Sequence, residues 1–266
     1  MGVRTTELAV TALRAVALLV VAAQVGAQDA RDPHAVQPER PTVATHAGTV
    51  ATGWLEVEAG MERDRLGAAG ATLSTPLVLK LGIADHAQLA IDATTLRAGG
   101  TTSFGDISTG IKWRLLDGAP LVGDFALLPA IKFATGARNA GTGTTDLSLL
   151  AISSHDLGPI SMDVNFGYTR RDGDGSRAPK TATLWTVSFG GPIAGVLGWT
   201  AECYGYPGTA GPAGQPPIVA LLAGPTALVR PWLAFDLGAI EPIAGPQPRA
   251  FYAGTVYNVG RIWRTR

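Results

Sequence analysis

Charge, thiols and long apolar runs are all scarce in this chain. Only 16% of its 266 residues are charged, and 21 basic side chains balance 21 acidic ones. Nothing in that balance suggests nucleic acid, which needs a basic face, so it is not an expected partner. A single cysteine, Cys203, permits no internal disulfide. An exported protein built this way draws its stability from backbone pairing. Four scattered histidines and one thiol show no metal-ligand spacing. No cofactor is expected. Past residue 30 the one near-continuous apolar region runs from Pro216 to Phe235. Pro216, Pro217, Pro225 and Pro231 argue against a membrane-crossing helix there, because interior proline breaks helices. Arg230-Pro231 reads better as a turn between strands.

What the chain does have is alternation. Gly53 to Glu62 places Leu55, Val57, Ala59 and Met61 on one parity and Glu56, Glu58 and Glu62 on the other. A strand sends alternate side chains to opposite faces, so the segment has one apolar and one charged face. About twelve such runs follow one another, separated by Gly, Pro, Asp and Asn. The clearest is Asp106 to Leu115, where Ile107, Ile111, Trp113 and Leu115 oppose Asp106, Ser108, Lys112 and Arg114. The run at Ile218 to Leu228 is apolar on both parities, and its faces cannot be assigned. Ten aromatic residues, from Trp113 to Trp263, keep to the apolar parity, as at the interfacial girdles of membrane barrels. Trp54 is the exception.

The N-terminus and the connections agree with that reading. Arg4 and Arg14 precede an apolar stretch from Ala15 to Ala23, and Val25-Gly26-Ala27 offers a cleavage site. Residues 1–27 are therefore expected to be an export signal. Residues 28–52 are polar and without period, and are expected to form an N-terminal periplasmic segment. Residues 53–266 are expected to form the barrel. Short turns at Ala84-Asp85, Asp117-Gly118 and Arg230-Pro231 alternate with longer loops such as Arg97 to Ser103 and Arg170 to Lys180. Outer-membrane barrels have short periplasmic turns and longer outside loops. The expected fold is all-β: a closed antiparallel transmembrane β-barrel of about 12 strands in an outer membrane. Closure follows from the lipid, where every amide must be satisfied and an open sheet leaves an edge.

Several segments resemble the outer-membrane transporter-like family associated with the meta-pathway of phenol degradation. They are Glu39-Arg40-Pro41 leading into Gly53 and Glu56 to Gly60, Leu77 to Asp85, Gly105-Asp106 through Leu116, Asn165 to Tyr168, Glu202 with Tyr204-Gly205, and Asp236 to Gly238. The resemblance implies an outer-membrane channel or carrier for small solutes, aromatic compounds among them. The C-terminus partly resembles the assembly signal of barrel proteins, with Asn258, Gly260 and Trp263 in place. Expected partners are thus outer-membrane lipid, the barrel assembly machinery and small solutes.

The polar parity supplies the candidate site. Its lumen and selectivity candidates are Glu56, Glu58, Lys80, Asp92, Asp106, Lys112, Arg114, Lys132, Asp163, Asn165, Glu202 and Asp236. Glu62, Asp124 and Asp146 share that side. Together they suggest a partly open, wet pore whose opposed charges set selectivity. Any one of them is more simply a partner in a salt-bridged filling of side chains, because buried charges need partners. The second reading is therefore a closed barrel with a structural or surface-interaction role. Catalysis is not expected. Ser153 and Ser154 neighbour His155, but chain neighbours do not make a triad. Glu56 and Glu58, two apart on one face, line a lumen better than they make a glycosidase pair.

Overall fold

The computed structural model describes residues 32–40, 42–65, 70–176, 178–208 and 216–263. The expected export signal and the last three residues, 264–266, lie outside them. Alternating apolar and polar side chains give the chain strands, and the strands give it one sheet. In chain order they are β1 (Trp54–Arg65), β2 (Ala71–Ala84), β3 (Ala87–Ala98), β4 (Thr101–Phe104), β5 (Ile107–Ala119), β6 (Gly123–Phe133), β7 (Asp146–Asp156), β8 (Ser161–Arg171), β9 (Thr181–Ala194), β10 (Leu197–Tyr206), β11 (Ile218–Arg230), β12 (Leu233–Ala244) and β13 (Arg249–Arg261). All neighbours run antiparallel. β3 pairs with both β2 and β5, and β1 pairs with β13, so the sheet closes on itself. The result is a closed 12-strand barrel with one extra strand, β4.

β4 stands where the sequence reads as loop. Gly99 and Gly100 both have positive φ, 55° and 82°, and let β3 fold straight back on itself. A Gly-Gly pair between strands is the usual signal of such a tight hairpin. The ladder Arg97↔Thr102 and Ala98↔Thr101 continues it past the barrel wall. At the other end of the barrel, β1 pairs Leu55 with Gly260 but Glu56 with Asn258, which leaves Val259 as an extra residue. Gly260 takes φ 105° beside that bulge.

The outward face is mostly apolar. Trp113, Leu147, Phe166, Leu237 and Phe251 are each more than half exposed. A water-soluble monomer rarely shows continuous apolar surface of that extent. The inward face carries the charges, and many of them have no exposure at all. β11 resolves the strand that sequence leaves without faces. Ile218, Ala220 and Leu222 point inward, Ala220 and Leu222 packing with Tyr204, Ile240 and Tyr252, while Leu221 and Ala223 point out. Both parities are apolar there because the inward one also meets an apolar partner, Val43.

Candidate functional site

Val43 belongs to residues 32–52, which the sequence reading places in the periplasm ahead of the barrel. The structure instead places the segment's described residues 35–40 and 42–51 inside the lumen. Their amides bond inward-facing side chains on strands spread around the whole circumference, and only a chain within the barrel reaches them all. Gln37 N donates to Glu56 Oε2 at 2.8 Å, and Glu39 N and Arg40 N to the two oxygens of Glu58 at 2.9 and 3.0 Å. Val43 N and Ala44 N donate to Glu202 at 2.8 and 2.7 Å. Thr45 N donates to Asn165 Oδ1, whose Nδ2 returns a bond to Thr45 O. Ala47 N donates to Ser154 Oγ and Val50 N to Gln88 Oε1. The segment lacks a period because wall side chains, not a strand ladder, satisfy its backbone.

The segment is a loop closed at its base. Ala51 N donates to Pro33 O at 2.8 Å, and Val36 N to Pro231 O in the short β11–β12 turn at 2.7 Å. Asp32 accepts from the His34 amide, a bond that holds its carboxyl below the usual range. His34 packs edge-on against Trp54 at 4.9 Å between ring centroids, which accounts for an aromatic on the parity of Glu56. Apolar contacts seat the loop at three places: Val36 on Ala234 and Val256, Val43 on the β10–β13 cluster, and Ala47 on Ala126 and Ile152. Gly82 lets the returning chain pass. A Cβ there would collide with the Ala51 carbonyl, while Gly53 N donates to Gly82 O at 2.8 Å.

The sequence candidates divide into three groups. Glu56, Glu58, Lys80 and Lys112 meet in one buried cluster. Lys80 Nζ lies 2.6 Å from Glu56 Oε1 and also pairs with Glu58 and the Gln37 carbonyl. Lys112 Nζ lies 2.5 Å from Glu39 Oε1 and donates to His46 O at 2.8 Å. All four wall side chains have zero exposure, so at this level the lumen is filled. Asn165 and Glu202 hold the loop's backbone, and Asp163 holds Ser154, which holds Ala47. Asp92 accepts from Ser108 at 3.2 Å. Asp92 and Asp236, with Glu58 and Glu62, oppose the charge of Arg40 at the loop's tip. Asp236 Oδ1, Tyr252 Oη and Arg40 Nε are buried there without hydrogen-bond partners.

The remaining candidates lie apart from this group. Lys132 bonds Asp106 at 2.8 Å and lies 3.5 Å from Asp146, which in turn faces Arg171. Asp106 also accepts from Gly136 N and Thr142 N, so this cluster anchors the β6–β7 loop at the end with the long loops. Burial opposes the charge on Asp106, yet Lys132 and the two amides hold its carboxyl below the usual range. Arg114 sits at the opposite rim, bonded to Asp117 at 2.8 Å and His86 at 3.1 Å. It shares no layer with Lys112 despite sharing its strand and parity. The residues that sequence reasoning missed are Gln37, Glu39, Arg40, His46 and Gln88. Glu39-Arg40 was visible as part of a resemblance, but nothing in a polar, aperiodic stretch tells that it folds inward.

A buried carboxylate that accepts two amides is a strong tether. Replacing Glu202 with Gln keeps the shape and removes the charge. A charge-assisted hydrogen bond contributes about 1.5–3 kcal/mol against about 1 for a neutral one. Amide exchange at Val43 and Ala44 is therefore expected to speed up roughly tenfold or more in E202Q. Exchange unchanged at both positions, followed by NMR or mass spectrometry, would remove Glu202 from the tether.

Among the described residues one serine–histidine hydrogen bond is present, Ser153 Oγ to His155 Nε2 at 2.8 Å. Ser153 also donates its proton to the Val122 carbonyl at 2.7 Å, so the imidazole is the donor in this pair. That is the wrong direction for a base activating a nucleophile. Both side chains lie on the outward parity of β7.

No family model and no curated protein matches the sequence. Solved structures do match the fold, which is that of bacterial outer-membrane barrels. The COG4313 outer membrane channel from Pseudomonas putida F1 aligns with a TM-score of 0.58 at 12% identity, over 79% of this chain and 97% of that one. The KdgM porin aligns with 0.54 at 8% identity, over 76% and 98%. The NanC porin aligns with 0.52 at 11% identity, again over 76% and 98%. The shared feature is the barrel itself, in structures that are channels and porins.

Proposed function

We propose that this protein is an outer-membrane channel for passive passage of small solutes, occluded from within by its own residues 33–51. The observation that carries the reading is the way the loop is held. Polar bonds to wall side chains dominate, and water can replace each of them when the loop leaves. A wall built only to be filled could use apolar side chains, which pack without needing partners. The apolar outward belt and the barrel fold support an outer-membrane location, and the export signal expected at 1–27 fits it. Aromatic solutes enter on the sequence resemblance alone. No catalytic step is proposed.

With the loop gone, Glu56, Glu58, Lys80 and Lys112 would line a constriction of mixed sign. In a chain lacking residues 33–50, E56Q/E58Q is expected to shift the reversal potential towards anion preference. K80M/K112M is expected to shift it towards cations, each by roughly threefold in permeability ratio. Planar-bilayer recording under a salt gradient reads both. If neither pair moves the reversal potential, the four residues do not line the path. The second reading, a closed barrel with a structural or surface role, draws on the same filled layer. It expects no conductance with the loop removed.

A further inference from the structure

The outward face of the barrel is largely apolar, and arginines interrupt it at its long-loop end. At the long-loop end of β1, β2 and β3, Arg63, Arg65 and Arg97 project outward on the same parity as Met61 and Ile91. Register joins them. Arg63 lies opposite Leu73 on β2, and Leu73 lies opposite Arg97 on β3. The two guanidinium-bearing positions therefore flank one leucine, about 10 Å apart across two strand spacings. Arg65 lies opposite Arg249 on β13 and stacks over Phe251 at 5.2 Å. Like charges directly opposite one another destabilise a sheet. Arg249 finds Glu241 at 2.6 Å. Arg63, Arg65 and Arg97 have no ion pair among the described residues.

Three exposed, unpaired cations at the edge of a lipid-facing wall need an anionic partner. We propose that this patch binds an outer-leaflet glycolipid through phosphate groups on its headgroup. Guanidinium matches phosphate with paired donors, which suits arginine rather than lysine for the task. Leu73 and Phe251 between the arginines, with Met61 and Leu77 below, give acyl chains a surface directly beneath the head. The ligand is set by geometry as well as charge. Cations at the membrane rim see headgroups, and apolar side chains one row further in see tails. Orientation with the long loops outward comes from the channel reading and decides which leaflet the patch meets.

The test uses the full chain in detergent micelles, titrated with a diphosphoryl lipid A, its dephosphorylated form and phosphatidylglycerol. A surface cation contributes about fivefold to binding an anionic head. R63Q/R65Q/R97Q is thus expected to bind the diphosphoryl glycolipid about 100-fold more weakly than the unaltered chain. Unaltered protein should lose a similar factor when the phosphates are removed from the lipid, a comparison that needs no variant to fold. Equal binding by the triple variant, or equal binding of the dephosphorylated lipid, overturns the proposal. Phosphatidylglycerol bound as tightly as the glycolipid also overturns it, since the patch would then serve any anionic leaflet. All three arginines lie outside the lumen. Their substitution leaves conductance to report separately on whether the barrel is a channel.

Discussion

Excising residues 33–50 is expected to turn a nearly silent barrel into a conducting one. In the intact chain Glu56, Glu58, Lys80 and Lys112 have no exposure and are packed against the loop. The wall does not depend on the loop for closure, because β1 pairs with β13 and β2 along their own ladders. A barrel of about twelve strands with its filling removed lies between filled eight-stranded barrels and open porins. Single-channel conductance should rise by roughly tenfold or more, with the barrel still folded by its resistance to heat and detergent. The converse variant locks the loop in. Ala47 N bonds Ser154 Oγ at 2.8 Å, so A47C/S154C in a C203A background brings two sulfurs across that contact. The oxidised form should stay silent and regain the behaviour of the intact chain on reduction. A loop-deleted barrel that folds and does not conduct would end the channel reading and leave the closed barrel standing.

The second large effect centres on Lys80. This one ammonium is shared by Glu56, Glu58 and the Gln37 carbonyl, with Glu39 3.7 Å away. Lys80→Met leaves two buried carboxylates facing each other without their cation. Breaking a buried pair by removing one partner costs about 3–5 kcal/mol. Unfolding the barrel is not the easiest relief. Releasing the loop lets water reach both carboxylates, so the cost should appear as an open population about 100-fold larger or more. A cysteine at position 47 reads it directly, since Ala47 has no exposure while the loop is docked. Maleimide labelling of A47C, again with C203A, should accelerate by that factor in K80M. Adding E56Q and E58Q removes the stranded charges and should recover most of the protection, because buried charge sets replaced together often cost little. Labelling as slow in K80M as in its parent would mean that the cluster does not hold the loop.

Residue by residue, legibility followed periodicity. Every charged candidate on a run of clear alternation lies on the inward parity, from Glu56 on β1 to Asp236 on β12. Asp106 is the exception in role, since it precedes β5 and anchors a loop. Arg114 is the exception in depth. Parity tells which face a side chain takes, but not which level of the barrel it occupies or what it meets there. Trp54 and the Ile218–Leu222 stretch broke the pattern for one shared reason. Both touch the inner loop, His34 in one case and Val43 in the other. An apolar residue on the lumen side was thus the trace of a partner that the sequence could not place.

The linear chain by itself determined the wall. Alternation with a period of two, glycine and proline at the turns, and unequal loops leave a closed antiparallel barrel as the arrangement that satisfies every amide in lipid. Tertiary structure alone decided what stands inside it. Residues 32–52 have no period to read, because their eight wall-bonded amides are met by side chains up to 159 positions away in the chain. Partners at such separations follow no local rule, and they come together only once the sheet has closed.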